Sequence, residues 1–97
     1  MPTKEEIQDT IGKHKVVVYS KSFCPYCSKA KQALNNEKIE YHVIELDGRS
    51  DMDSTQDILC KLTGARSVPR VFVNGKFFGG GDDTVAAVKN GKLKELL

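Results

Sequence analysis

The chain has 97 residues, enough for one domain spanning 1–97 and too few for a second. Hydrophobic residues at 39% and charged residues at 29% are the balance of a soluble globular protein, not of a disordered chain. A formal net charge of +2 is too small to argue for nucleic acid or an anionic membrane as partner, and no apolar run approaches the roughly 18–20 residues that cross a bilayer.

The opening Met1-Pro2-Thr3-Lys4-Glu5-Glu6 lacks the apolar segment of a secretory signal and carries acids unlike a transit peptide. Thr3 to Gly12 reads as a helix: Thr3 and Glu6 have capping-box spacing, and Ile7 and Ile11 form a narrow apolar stripe. His14 then supplies a favourable charge at the helix end. Lys15 to Ser20 is a strand, apolar without alternation, as expected when both faces are covered. Pro25 to about Asn35 is a second helix, and Tyr41 to Leu46 a second strand, parallel to the first because a helix connects them. In that strand His42 reads as an exposed residue.

Asp47 to Asp51 is a polar loop. A third helix follows, with Asp53 and Gln56 at near capping-box spacing, Ile58, Leu59 and Leu62 on its apolar side and Gly64 at its stop. Ser67-Val68-Pro69 requires extended backbone before the proline. Val71-Phe72-Val73, Asn74-Gly75 and Lys76-Phe77-Phe78 form a hairpin, since Asn-Gly supplies the left-handed residues of a two-residue turn. Gly79-Gly80-Gly81 reads as flexible backbone before Asp82-Asp83, which cap a fourth helix running to Asn90. Gly91 ends it, and Lys92 to Leu97 add a short helical turn. The order α-β-α-β-α-β-β-α describes an α/β domain of thioredoxin-like fold, a four-stranded mixed sheet with helices on both faces.

The chemistry concentrates in Lys21-Ser22-Phe23-Cys24-Pro25-Tyr26-Cys27, between the first strand and the second helix. Cys24 falls at the helix start, where unpaired amide groups and the positive end of the helix favour a thiolate, and Lys21 adds a cation. Pro25 suits the first helical position because its missing N–H would have had no partner. A Cys-x-x-Cys beside a β-α-β pattern is a thioredoxin-like redox motif. Zinc fits less well, because Cys60, His14 and His42 offer no second ligand pair. A purely structural disulfide also fits less well, because so short a loop gains little from closure. The odd count of three cysteines argues against a fully paired disulfide framework and for a reducing cytosol, so the chain is expected to be cytoplasmic.

Three pieces in order carry a resemblance: Lys21…Cys24-Pro25-Tyr26-Cys27, then Leu62 to Pro69, then Gly79-Gly80-Gly81-Asp82-Asp83. Together they resemble a dithiol glutaredoxin over nearly the whole chain. The resemblance implies glutathione as reducing co-substrate, with its glycine carboxylate held by Lys21 and Gln56 and with Arg66 as helper. It implies a cis-Pro69 facing the cysteine, and backbone groups of Val68 pairing with the central cysteine of glutathione as an added strand would. The γ-glutamyl end falls to Asp82 and Asp83, with Gly80 allowing close approach. Ser67 stands where threonine is common in the family and keeps the hydroxyl. Tyr26 belongs to the glutathione-binding set as a residue packed beside the sulfur, without a chemical step. Cys60 belongs to no shared motif and reads as a buried or half-exposed thiol.

The activity implied is glutathione-dependent thiol–disulfide oxidoreduction by a monomer acting on glutathionylated or disulfide-bonded client proteins, with Cys24 as nucleophile and Cys27 as resolving thiol. No metal is expected. The alternative is an iron–sulfur carrier using Cys24 and glutathione from two subunits, against which Pro25 and Cys27 count. A thioredoxin-type carrier reduced by a flavoenzyme is a further rival, disfavoured by the glutathione-binding set.

Overall fold

In the computed structural model, which describes residues 3–97, helix α1 (Lys4–Lys13) starts where the Thr3 hydroxyl accepts the Glu6 N–H at 3.1 Å. Met1 and Pro2, the first residues of the segment read above as lacking a signal, lie outside the described range. Ile7 and Ile11, one turn apart, bury the inner face of α1. Strand β1 (Val16–Ser20) is buried at all five positions, which explains why its sequence does not alternate. Helix α2 (Pro25–Asn36) crosses over to strand β2 (His42–Glu45), one residue shorter at each end than its sequence pattern; at the C-terminal end Leu46 to Gly48 instead form a turn of 3-10 helix.

Helix α3 (Met52–Thr63) stops at Gly64, whose φ of 91° is left-handed. Its N-cap is Asp51, so Asp53 lies inside the first turn instead of capping it. Strands β3 (Arg70–Val73) and β4 (Lys76–Gly79) form the expected hairpin, with φ of 53° at Asn74 and 82° at Gly75. Helices α4 (Gly81–Lys89) and α5 (Lys92–Leu96) complete the chain.

The sheet order is β2-β1-β3-β4, with β1 parallel to β2 and antiparallel to β3. Alternate residues of its central strands serve two separate cores. Val16, Val18, Val71 and Val73 pack with Leu34, Ala87, Val88 and Leu93 under α2, α4 and α5. Val17, Tyr19 and Phe72 pack with Ile7, Ile11, Leu46 and Leu59 under α1 and α3. This is the thioredoxin-like α/β fold. Burying both faces of β1 fixes its C-terminal end rigidly, and the Cys-x-x-Cys segment leaves from that end. Among the described residues no helix is long and apolar enough to cross a membrane.

The glycine triplet differs from its reading as flexible backbone. Gly79 is the last residue of β4, paired opposite Val71, and Gly81 is the buried first residue of α4; only Gly80 joins the two elements. Gly80 is also the N-cap, so Asp82 and Asp83 occupy the first turn of α4 and do not precede it. His14, the C-cap of α1, stacks on the exposed His42 with ring centroids 4.2 Å apart, a pairing across the sheet edge that local spacing could not show.

Candidate active site

Two turns set the position of Cys24. The Cys24 N–H donates to the Lys21 carbonyl at 3.2 Å, closing a turn over Ser22 and Phe23. Ser22 is pinned from outside this turn: its N–H donates to Asp47 Oδ1 at 2.9 Å and its hydroxyl bonds Asp47 Oδ2. Those bonds hold the Asp47 carboxyl below the usual carboxylate range. In the sequence Asp47 shows only as the start of a polar loop. Because β2 is parallel to β1, the segment leaving β2 runs beside the segment leaving β1, and that adjacency is the signal that could have found it.

Cys24 is the N-cap of α2 and Pro25 its first residue, as the sequence indicated. The Cys27 N–H donates to Cys24 Sγ at 3.4 Å, so the sulfur does the work a serine oxygen does at an ordinary cap. Partial burial opposes ionisation of Cys24. The Cys27 thiol, the backbone N–H groups of Cys27 and Tyr26, and the Lys21 ammonium outweigh it, and the thiol is held below its ordinary value. Cys27 behaves oppositely. It is fully buried, and burial pushes its thiol up, reinforced by Cys24 and only partly offset by backbone at Lys21 and the Ser20 hydroxyl. One motif therefore holds a half-exposed thiol prone to ionise and a buried thiol prone to keep its proton.

The second wall is the segment 66–70. The Val68–Pro69 peptide is cis, and the Val68 carbonyl lies 3.8 Å from Cys24 Sγ as acceptor for the thiol. Pro69 is buried, and a Cβ on Gly81 would stand 3.4 Å from its ring and 3.1 Å from Tyr26 Cβ and carbonyl oxygen. The starts of α2 and α4 and the proline thus meet closely at Gly81, where a side chain would press its neighbours apart by a few tenths of an ångström. Asp83 Oδ2 accepts the Gly80 N–H at 3.2 Å, while Asp82 is exposed on the same turn.

Gly79 is constrained by space alone. A Cβ there would fall 2.6 Å from Asp83 Oδ2 and 2.7 Å from Asp83 Cβ. Gly79→Ala is expected to expel the Asp83 carboxylate from its bond to Gly80 and to cost about 1–3 kcal/mol of stability. Denaturant unfolding measures it, and an unchanged midpoint would show that α4 shifts freely.

The residues expected to hold a glycine carboxylate are less open than that expectation implies. Gln56 is 7% exposed, and its amide donates to the Arg66 carbonyl at 2.9 Å, which leaves one of its two N–H groups. Arg66 turns back onto α3, bonding Asp57 and lying 3.7 Å from Asp53. Lys21 is half-buried beside Cys24. Arg70 joins this group although no local spacing marks it in the sequence. Its guanidinium donates to Ser67 Oγ at 3.1 Å and Thr63 Oγ1 at 3.4 Å, and it lies 5.0 Å from the Phe77 ring centroid. It ties the segment before Pro69 to α3 and β4. A charged residue directly after the proline, at the start of an otherwise apolar strand, was its signal in the sequence. Cys60 lies half-buried on α3, about one helical turn after Gln56.

Of the two motif thiols, Cys24 is the one that reaches solvent. A groove of about 1180 Å³ runs along the other end of β1, beside His14, Tyr41 and Lys94, and a smaller cavity of about 180 Å³ lies between α1 and α3; neither contains a cysteine. A nucleophile placed this way can meet a disulfide carried by a macromolecule.

Comparison with known proteins agrees with this geometry. The glutaredoxin family model matches residues 16–78. Glutaredoxin-C4 of Arabidopsis thaliana is 47% identical over 96 residues, covering 99% of this chain and 71% of that protein. The crystal structure of oxidized glutaredoxin 2 from Chlamydomonas reinhardtii is 58% identical with a TM-score of 0.91, covering 97% of this chain and 89% of that one. A buckwheat glutaredoxin–glutathione complex is 38% identical with a TM-score of 0.91, covering 97% and 86%. With a cap-position thiol at Cys24, a buried thiol at Cys27 and matches of this extent, the chain belongs to the glutaredoxin family of glutathione-dependent thiol–disulfide oxidoreductases.

Proposed function

We propose that the chain uses glutathione to reduce protein–glutathione mixed disulfides through Cys24 alone and protein disulfides through Cys24 and Cys27 together, contributing to cell redox homeostasis. The observation that carries this reading is the opposite behaviour of the two thiols: Cys24 half-exposed and easily ionised, Cys27 buried and hard to ionise.

In the first route the Cys24 thiolate attacks the glutathione sulfur of a mixed disulfide. The Cys24–glutathione S–S bond forms, the protein–glutathione S–S bond breaks, and the electron pair leaves on the protein sulfur, which takes a proton from water. A second glutathione, as thiolate, attacks the same glutathione sulfur, giving glutathione disulfide and restoring the Cys24 thiolate. The amide groups and Lys21 that stabilise Cys24 as an attacking thiolate also stabilise it as the leaving group of this second step.

In the second route Cys24 forms a mixed disulfide with the client, and Cys27 attacks Cys24 to release it as a reduced thiol. An internal Cys24–Cys27 disulfide results, and two glutathiones reduce it. The oxidized state of the Chlamydomonas relative is consistent with such a cycle.

For the ligand, we assign the central cysteine of glutathione to the Val68 backbone next to Pro69. The γ-glutamyl carboxylate goes to the first turn of α4, at Gly80, Asp82 and Asp83. The glycine carboxylate goes to Lys21 and the remaining Gln56 donor, with Tyr26 and Ser67 flanking and Arg66 nearby. The complex of the buckwheat relative with glutathione supports glutathione as the ligand. We further assign the chain to the reducing cytosol as a monomer, the setting that suits an odd number of thiols.

A coupled assay tests the reading. Turnover of a glutathionylated protein should require glutathione and glutathione reductase and should fail with thioredoxin reductase as the sole electron source. The reverse dependence would contradict it. Visible absorption of anaerobically purified protein, lost with Cys24, would favour an iron–sulfur carrier instead.

A further inference from the structure

Phe23 has no part in the chemistry above, yet among the described residues it is the most exposed of the large hydrophobic side chains, at 73%, and Tyr26 on the other side of Cys24 is 55% exposed. A single exposed aromatic side chain needs no explanation. Phe23 is different because its backbone is held at both ends. It lies in the turn closed by the Cys24 N–H and the Lys21 carbonyl, and the Ser22 bonds to Asp47 anchor that turn to the segment after β2. The side chain is thus displayed by a rigid support one residue from the nucleophile, so binding to it sacrifices little backbone freedom. Lys29 lies 5.8 Å from the Tyr26 ring centroid and gives the patch a cationic rim with Lys21.

We propose that Phe23, with Tyr26, is the client-facing ledge of the site. It receives an apolar side chain of the polypeptide that carries the glutathionylated cysteine, and it thereby favours protein mixed disulfides over small ones. The proposal rests on the oxidoreductase reading above and adds the class of partner. Its argument is continuity with the reacting bond. A protein sulfur must come into contact with the glutathione sulfur that Cys24 attacks, so the residues flanking the client's cysteine arrive within reach of Phe23. The aromatic pair is the exposed apolar surface there, and aromatic residues at the centre of a contact contribute most of its energy. Lys21 and Lys29 at the rim suit a client segment with an acidic residue outside the apolar one.

The test compares three glutathionylated substrates: a peptide with leucine beside its cysteine, the same peptide with serine in place of leucine, and the mixed disulfide of cysteine with glutathione. Wild type should prefer the leucine peptide. Phe23→Ser should lower kcat/KM for that peptide about tenfold, an effect of the size expected for one aromatic anchor, while changing the small mixed disulfide less than about twofold. Phe23→Leu should retain most of the preference.

An equal fall on the peptide and the small disulfide would overturn the proposal by making Phe23 a support of the thiol. An unchanged leucine preference in Phe23→Ser would overturn it as well. A wild-type dimer in sedimentation that Phe23→Ser converts to monomer would assign the ledge to a second copy of this chain, and so against a client. If wild type turned over none of the three, the oxidoreductase reading itself would fail. A wild type active on all three without preference would sink only the ledge.

Discussion

Replacing Cys24 with serine is expected to lower the turnover of every disulfide substrate by roughly 10³-fold or more, the scale seen when a nucleophile is removed. The substitution isolates chemistry from folding. Serine is a good N-cap, and its oxygen can accept the Cys27 N–H that Cys24 Sγ accepts at 3.4 Å, so α2 should start as before. What is lost is a sulfur able to form and break S–S bonds. Neither other thiol can substitute: Cys27 is fully buried, and Cys60 lies inside α3, not at a helix start with amide groups to stabilise its thiolate. Steady-state turnover checks the prediction, with thermal unfolding as the folding control. Substantial activity in a folded Cys24→Ser protein would reassign the nucleophile.

Cys27→Ser should divide the two activities. Reduction of protein–glutathione mixed disulfides should continue, because the proposed route needs only Cys24 and a second glutathione as attacking thiols and uses no Cys27 sulfur. Reduction of protein disulfides should fall by about tenfold or more. The argument is one of effective concentration. Cys27 lies one turn along the helix from Cys24, and well-oriented groups reach effective molarities of roughly 10⁵ M, so even a small fraction of that outcompetes a free thiol that must arrive by diffusion. The replacement is conservative in size, and the buried hydroxyl has the Ser20 and Lys21 groups near it. Parallel rates on a glutathionylated protein and on a protein disulfide decide the matter, and equal loss of both would rule out the division.

The parts of this site governed by local spacing were legible in the sequence. Cys24 as cap, Pro25 as first helical residue, the Asn74-Gly75 turn and the Gly64 stop each depend on a few neighbouring residues. The two-sided burial of β1 followed from its unbroken apolar run. The cis bond at Pro69 came from the family resemblance, since X–Pro bonds are trans in most proteins.

What escaped the sequence lies between segments distant along the chain. Asp47 anchoring Ser22 spans 25 residues and depends on two parallel strands ending side by side. Gly79 and Gly81 read as loop because a glycine required by crowding looks the same in sequence as one chosen for flexibility; here Asp83, Tyr26 and Pro69 occupy the space. The family resemblance assigns Gln56, with Arg66 as helper, to the glycine carboxylate of the ligand. In the fold both also serve the turn after α3, through Asp57 and the Arg66 carbonyl.

The account depends on the two thiols of one motif having opposite tendencies, and the pH dependence of alkylation measures that directly. Cys24 and Cys27 are labelled with iodoacetamide across the pH range, and the first modification at each site is resolved by mass spectrometry. Only the thiolate reacts, so a lowered pKa keeps Cys24 reactive as the pH falls until that lower value is crossed, while a raised pKa delays Cys27 to higher pH. The account predicts a Cys24 midpoint below the ordinary thiol value of about 8.5 and a Cys27 midpoint above it. A Cys24 midpoint at or above that value, or the two midpoints in reverse order, would contradict the assignment of nucleophile and resolving thiol.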